Sequence, residues 1–466
     1  MKKNIIILCL AALSLTGCGV LKSYNREKVT QPVDMETLYG DALSGDSLGL
    51  GDLKWRELFT DPTLQELIER VLTQNTNIKN ADLTVQQVNY ALKAAKWAYV
   101  PSISLSGNGS ISKMWDPYER AHYTGTPSTK PYAINLTVGW QQVNLLQLRN
   151  AQKGAEMNLE QARAAKQAVQ ASLVSNTAIL YYTLLQLDEQ LFLLKQTKAN
   201  WAEYLRMQKM LMDAGQANIA AVSSIEATYW SICQSIDTIE DNILILENQL
   251  STLLNEPAQN IKRSSLASFI SPAIVTTGAP ISILSRRPDV RMAEMALASA
   301  FYDVNQAKSA FYPSLTLSAT GTFTNGNQAN INPGAFIGQA LAGLAQPIFM
   351  NGKLIATLKI SKAQMEIEAN NFTNAIITAG NEVNLAMKLI HSAEEERVFI
   401  DNQVKALETA YEATRKLFAG SSANYLNVIT AHNNLLQAQM TQITNRMDVI
   451  NATIELYLAL GGGAEL

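Results

Sequence analysis

Few side chains in this 466-residue sequence are of types that carry chemistry, and their spacing builds no reactive centre. His122, His391 and His432 lie far apart, so no two have the spacing of a ligand pair, and Cys233 has no partner motif. A structural metal site is not expected. Met207, Met210 and Met212 could hold a soft metal, but methionine at helical spacing is a packing residue. Glu394, Glu395 and Glu396 read as a solvated helix face. Arg286-Arg287-Pro288-Asp289 has the composition of an anion site, yet a helix start with Asp289 near the positive end of the dipole accounts for it. There is no Gly-rich phosphate loop, nucleophile elbow or paired-carboxylate motif. Neither an enzyme nor a cofactor is expected.

One side chain does have a chemical assignment. Lys2 and Lys3 precede a short apolar run, Ile5 to Leu15, which is too short to span a bilayer comfortably. It ends in Leu15-Thr16-Gly17-Cys18. Residues 1–17 read as a secretory signal, and Leu-x-Gly-Cys resembles the bacterial lipobox, whose cysteine is acylated and becomes the first mature residue. Cys18 is therefore the expected lipid attachment site. Gly19 is not an acid, so the inner-membrane retention signal of enteric bacteria is missing. Each buried CH₂ of an acyl chain adds about 0.8 kcal/mol of membrane affinity. With Cys9 lost and Cys18 acylated, Cys233 has no disulfide partner, and a buried thiol is expected. The net charge is −3, and −5 without residues 1–17. A mildly acidic chain without a basic patch argues against nucleic acid as a partner.

The elements around these residues are unusual in length. Residues 18–53 are polar and Gly-bearing and read as an extended arm; regular structure is expected from Asp61-Pro62, a helix start. No proline occurs between 132 and 256 or after Pro347, so very long helices can form there. Leu180, Leu184, Leu187, Leu191, Leu194, Trp201 and Leu205 keep a 4-3 spacing with Lys198 the break. The series Ile232 to Leu253 and Leu436 to Tyr457 keep it unbroken. A sustained period of 3.5 implies coiled-coil packing. One helix, over 147–213, would be about 100 Å long, and a second, over 353–418, matches it.

Two segments instead alternate with period two, the pattern of strands. Ile103, Leu105 and Ile111 alternate with Ser and Asn over 101–112, and Tyr132, Ile134, Leu136, Val138 and Trp140 with Ala, Asn, Thr and Gly over 132–141. Residues 309–352 contain no charged side chain, and Leu315, Leu317, Ala319 and Phe323 alternate there with Ser and Thr. Soluble edge hairpins carry blocking charges. These have the length and alternation of transmembrane β-strands, the alternative being a β-sandwich insert. Tyr99-Val100-Pro101-Ser102 matches Phe311-Tyr312-Pro313-Ser314, and Ala214-Gly215 matches Ala419-Gly420, so the chain is a tandem duplication. The reading is residues 54–255 as the first repeat with its hairpin at 101–145, 256–285 as a linker, and 286–466 as the second repeat with its hairpin at 313–349. Four strands cannot close a barrel, which starts near eight. Two, three or four copies would close one.

Trp55-Arg56-Glu57-Leu58-Phe59-Thr60-Asp61-Pro62, Leu284-Ser285-Arg286-Arg287-Pro288-Asp289-Val290, Phe311-Tyr312-Pro313-Ser314-Leu315, Gln346-Pro347-Ile348-Phe349 and Leu460-Gly461-Gly462-Gly463 occur in this order. Together they resemble the TolC-like outer-membrane efflux family, in its lipoprotein (NodT/OprM-like) branch that serves resistance-nodulation-division pumps. The resemblance implies a fold that is mainly α with β. A homotrimeric outer-membrane β-barrel, four strands per chain and 12 in total, continues into a long periplasmic α-helical coiled-coil barrel. It implies a passive exit duct of a tripartite efflux pump for small molecules such as drugs or toxic compounds, meeting a periplasmic adaptor protein and, through it, an inner-membrane pump. A type I protein secretion duct and a lipid-anchored scaffold without a pore are the alternatives.

In the family the helical hairpin tips close the periplasmic entrance and dock the adaptor. The tips fall at Leu211 to Asn218 and Leu417 to Tyr425, so the resemblance assigns that role to Gly215, Asn218, Gly420, Ser421, Ser422, Asn424 and Tyr425. The second tip carries one extra residue between Gly420 and Tyr425. Thr430 stands where the family often has an Asp, and Ser223 and Ser224 precede Glu226 in the first tip. A carboxylate ring at 430 is not available, so closure is expected to rest on packing and neutral hydrogen bonds.

Overall fold

The computed structural model describes residues 23–26, 53–110, 112–113, 128–129, 132–266, 286–324, 335–419 and 425–463. A short α1 (Trp55–Leu58) is followed by α2 (Pro62–Gln74) and α3 (Thr76–Trp97). The strands β1 (Ser102–Gly109), β2 (Ser112–Lys113), β3 (Ser128–Thr129) and β4 (Tyr132–Val143) come next. Then α4 (Leu145–Asp213) runs for 69 residues and α5 (Ile219–Leu253) for 35. The order recurs with α6 (Pro288–Ser309), β5 (Ser314–Thr324), β6 (Ala335–Ala345), a 67-residue α7 (Lys353–Ala419) and a 35-residue α8 (Tyr425–Ala459).

Among the described residues a helix already forms at Trp55, before the expected Asp61-Pro62 start. The Glu57 side chain accepts from the Lys54 N–H (3.1 Å), and Trp55 and Leu58 are buried, which gives even this single turn a reason to form. The Asp61 carboxylate caps α2 by accepting from Thr63 N–H at 2.8 Å, with Pro62 at the first helical position. Asn75 closes α2 and caps α3, accepting from Asn77 N–H (2.8 Å) while its amide donates to the Leu253 carbonyl (2.8 Å).

The chain divides into two compact units. The first comprises residues 1–31, 86–161 and 293–372, and the second 32–85, 162–292 and 373–466. The first unit holds a four-stranded sheet in the order β1-β4-β5-β6, all antiparallel, and the β2–β3 pair. The sheet joins its helices through Asn144. That side chain caps α4 by accepting from Leu146 and Gln147 N–H (3.0 and 3.1 Å) and donates to the Ser309 carbonyl at the end of α6 (2.7 Å).

The core of the second unit is built where the heptad stripes meet. Leu184, Leu194 and Trp201 of α4 cluster with Ile232, Ile236, Ile239 and Ile243 of α5 and Ile443, Met447, Ile450, Ile454 and Tyr457 of α8. Fully burying each such side chain contributes about 1.5–3 kcal/mol. The helix α7 has its own 4-3 seam of smaller residues, Ala379, Val383, Ala386, Ile390 and Ala393, all buried. Other faces stay bare. Trp230, Leu244 and Ile245 of α5 and Leu385, Val398 and Phe399 of α7 are all more than half exposed in the single chain. Cys233, expected to be buried, is half-buried, because it follows Ile232 on the edge of the α5 seam.

Candidate functional site

The sheet has one apolar and one polar face, and its register assembles each from all four strands. Pairing places Ile103, Val138, Ala319 and Ala340 in one row, and Leu105, Leu136, Gly321 and Gly338 in the next. These side chains have no cover: Ile103 and Leu105 are 72% and 73% exposed. Aromatics bound the band. Tyr132, Phe323 and Phe336 stand at one end, with the Tyr132 and Phe323 rings 6.5 Å apart, and Trp140 at the other. Eight residue steps along β4 take Tyr132 to Trp140, about 26 Å of strand, or about 20 Å of height at the 35–45° tilt of barrel strands. An outward apolar band between aromatic girdles is the lipid face of a membrane barrel.

The opposite face is a hydroxyl and amide wall. Ser104, Thr137, Thr320 and Gln339 form one row, and Thr137 and Thr320 share a hydrogen bond of 3.1 Å. In the next row the Thr322 hydroxyl donates to Asn135 Oδ1 (2.8 Å), whose amide donates to the Ser106 hydroxyl (3.5 Å). Side chains are thus held across strands, and no strand of this sheet carries a charged residue. Such a wall wets a pathway without giving it a fixed charge. Only β6 mixes the faces, setting Ile337 and Leu341 opposite Thr322 and Ser318.

The first helical tip lies in the second unit. Gly215 ends α4 at φ +72°, with Gly215 N–H donating to Met212 O (2.9 Å) and Gln216 N–H to Leu211 O (2.8 Å). This is a Schellman motif, which needs a residue that tolerates the left-handed region. Asn218 then caps α5, accepting from Ala221 N–H at 2.9 Å, and Lys209 reaches Glu226 across the turn at 3.5 Å. Ser223 and Ser224 are exposed. In the second tip, Gly420, Ser421, Ser422 and Asn424 lie outside the described residues, as does Cys18. Tyr425 is the first residue of α8, and Asn424 precedes it as Asn218 precedes α5. Thr430 is exposed and turns its hydroxyl back to the Leu426 carbonyl (2.9 Å), an intrahelical bond with no charge to offer.

Two buried polar devices and an aromatic stack brace this unit. Arg287, its side chain 7% exposed, forks onto Asp289 (3.0 and 2.6 Å), reaches Glu382 of α7 (2.5 Å) and donates to the Ala459 carbonyl at the end of α8 (3.0 Å). Burial alone would raise the Asp289 carboxyl, but the Arg287 guanidinium outweighs it and holds the group below the usual carboxylate range. Asp289 does sit in the first turn of α6 as expected, but it is the fork that fixes it. Asp61, besides capping α2, accepts from the Tyr181 hydroxyl (2.7 Å) and from Ser264. Nearer the tip, the His432 ring lies stacked between Trp201 (centroids 6.2 Å) and Tyr411 (4.9 Å), and the Tyr204 and Tyr411 hydroxyls share a 2.6 Å bond. The Arg-Arg-Pro-Asp and Asp-Pro motifs were visible signals, but their partners, Glu382 and Tyr181, lie 95 and 120 residues away.

The family model described as outer membrane efflux protein matches residues 67–256 and 279–462. The toluene efflux pump outer membrane protein TtgC of Pseudomonas putida is 27% identical over 99% of this chain and 96% of its own length. The cation efflux system protein CusC of Escherichia coli is 26% identical over 97% of this chain and 98% of its own. Among solved structures, the outer-membrane channel OprN superposes with a TM-score of 0.82 at 20% identity, covering 95% of this chain and 99% of that one. The open state of the Neisseria gonorrhoeae MtrE outer membrane channel gives 0.78 at 21%, covering 95% and 98%.

Proposed function

The chain belongs to the outer membrane efflux protein family and is an outer-membrane channel reaching into the periplasm, and from that premise we propose how its parts serve a tripartite pump. Three copies supply 12 strands and close the barrel. The observation that carries closure between copies is the sheet itself. Its edge strands β1 and β6 bear no charge and no proline, and its apolar face is exposed in the single chain. Unblocked edges demand pairing, and an apolar face demands lipid. Residues 54–255 and 286–466 are two copies of one unit, joined by 256–285. Cys18 carries the lipid anchor.

The coiled-coil half forms the periplasmic tunnel. Gly215, Asn218, Gly420, Ser421, Ser422, Asn424 and Tyr425 form its entrance and dock a periplasmic adaptor, which connects to an inner-membrane resistance-nodulation-division pump. The relatives are named for cargoes as unlike as toluene and cations. A wall of hydroxyls and amides suits such breadth, so the pump selects the small molecule and the duct conducts it passively. The test is complementation of a strain lacking its outer-membrane efflux channel, with the cognate pump and adaptor supplied, reading dye accumulation. Wild type restores efflux, whereas Gly420→Pro and Ser422→Trp do not. If both variants transport normally, the tip assignment is wrong.

A further inference from the structure

The first unit contains a contact that its sheet does not require. Residues 23–26, far upstream of the first helix, are seated on α6 and α7. Arg26 forks onto Glu294, Nε to Oε1 at 2.8 Å and the second nitrogen to Oε2, and the Glu294 side chain is only 13% exposed. The same guanidinium lies over the Phe372 ring, 5.7 Å from its centroid. Tyr24 sets its ring edge-on to Phe301 (5.9 Å, 69°), and its backbone N–H donates to the Tyr302 hydroxyl at 3.4 Å. Burial, with Glu294 beside it, pushes the Tyr24 phenol up to about 12.

A forked guanidinium–carboxylate pair fixes direction as well as contact, and the cation–π and edge-to-face contacts fix it from two further sides. Only six peptide units separate Tyr24 from Cys18. Fully extended, they span about 20 Å. A lipid-bearing residue on a long free arm could enter the bilayer anywhere around the molecule. One tied this closely to α6 and α7 cannot.

We propose that Tyr24 and Arg26 form a mooring seat, which holds the acylated N-terminus against the α6–α7 face of the strand-bearing unit and so brings a lipid headgroup surface within about 20 Å of it. The proposal rests on the lipid-anchor reading of Cys18. The seat converts a swivelling anchor into a fixed one, so that acyl chain and strands meet the same membrane in register. Neither contact alone defines it. The charge pair sets the path of the arm, and Tyr24 keeps it from lifting.

The test uses the full chain with Ser23→Cys in a Cys233→Ser background, labelled with a fluorophore and reconstituted in vesicles containing nitroxide-headgroup phospholipid. The expected result is high anisotropy with strong quenching by the headgroup nitroxide. Arg26→Glu and Glu294→Arg should each lower the anisotropy to that of an unmoored control carrying Tyr24→Gly, Asn25→Ser and Arg26→Gly. The double variant Arg26→Glu/Glu294→Arg should restore it. Anisotropy unchanged by either single variant, or not restored by the swap, overturns the seat. Weak quenching with high anisotropy overturns its nearness to lipid. The mass of the N-terminal peptide tests acylation separately: an unmodified Cys18 would remove the anchor reading, and the anisotropy series repeated with Cys18→Ser, so that only the introduced cysteine takes the label, would still report the seat.

Discussion

Arg287→Met removes one side chain and disconnects three elements. The guanidinium joins the start of α6 to Glu382 of α7 and to the last carbonyl of α8, Ala459. Methionine keeps the volume and loses every hydrogen bond. Breaking a buried ion pair costs about 3–5 kcal/mol, and a single bond to a charged group is worth about 1.5–3. Here the stranded carboxylates are half exposed, Asp289 at 51% and Glu382 at 50%, and can take up water. The Ala459 carbonyl loses its side-chain donor. The expected loss is therefore about 2–4 kcal/mol, concentrated where α8 ends. At about 1.4 kcal/mol per decade, amide exchange of a peptide covering 455–463 should quicken about 30- to 700-fold. A peptide covering 205–218 serves as the control and should not change. Arg287→Lys keeps the charge but not the fork and should fall between. If exchange at 455–463 quickens less than about threefold, roughly 0.7 kcal/mol, the residue is not the clamp that its geometry indicates.

Other perturbations separate the remaining parts of the account. A Cβ on Gly462 would lie 2.3 Å from the buried Tyr457 ring, which donates to Leu53 O and accepts from Gly463 N–H. Gly462→Ala should cost about 1–3 kcal/mol by overpacking, read as a lowered melting temperature of the purified protein. Burial holds the His432 imidazole below its ordinary 6.5. The unfolded chain then takes the proton first, so this stability is complete above about pH 6.5 and is lost as pH falls below it towards the folded value, by at most about 1.4 kcal/mol per unit. His432→Phe should flatten that part of the melting-temperature profile between pH 7 and 5. On the sheet, Leu136→Arg faces lipid and should cost about 2–4 kcal/mol per chain, emptying the outer-membrane fraction, whereas Thr137→Arg on the hydroxyl face should still assemble. Equal outcomes for the two would refute the assignment of faces.

The long helices were legible because proline is missing from their spans and Leu or Ile marks one face every 3.5 residues. The α7 seam was not, because Ala379, Ala386 and Ala393 are too small to distinguish a buried stripe from ordinary helix composition. Strands β1, β4 and β5 alternate cleanly and were readable singly. Strand β6, Ala335–Ala345, has apolar residues on both faces, and only pairing with β5 decides which row each joins. Gly215 and Asn218 could be named as a turn because glycine and asparagine have local conformational roles that travel with the residue. Arg287 and Asp61 act through partners distant in sequence, and no local pattern reports a fork onto Glu382 or a hydroxyl from Tyr181. The seat of Arg26 on Glu294 was hidden for the same reason: 268 residues separate them.

Single-particle imaging of the detergent-purified full-length protein distinguishes an open channel from any other assembly. A three-fold particle is expected, with 12 strands closing a barrel around a continuous lumen, its apolar face inside the detergent belt and its Ser, Thr and Asn rows facing the lumen. A particle without three-fold symmetry, or one whose centre is filled by protein, would contradict it.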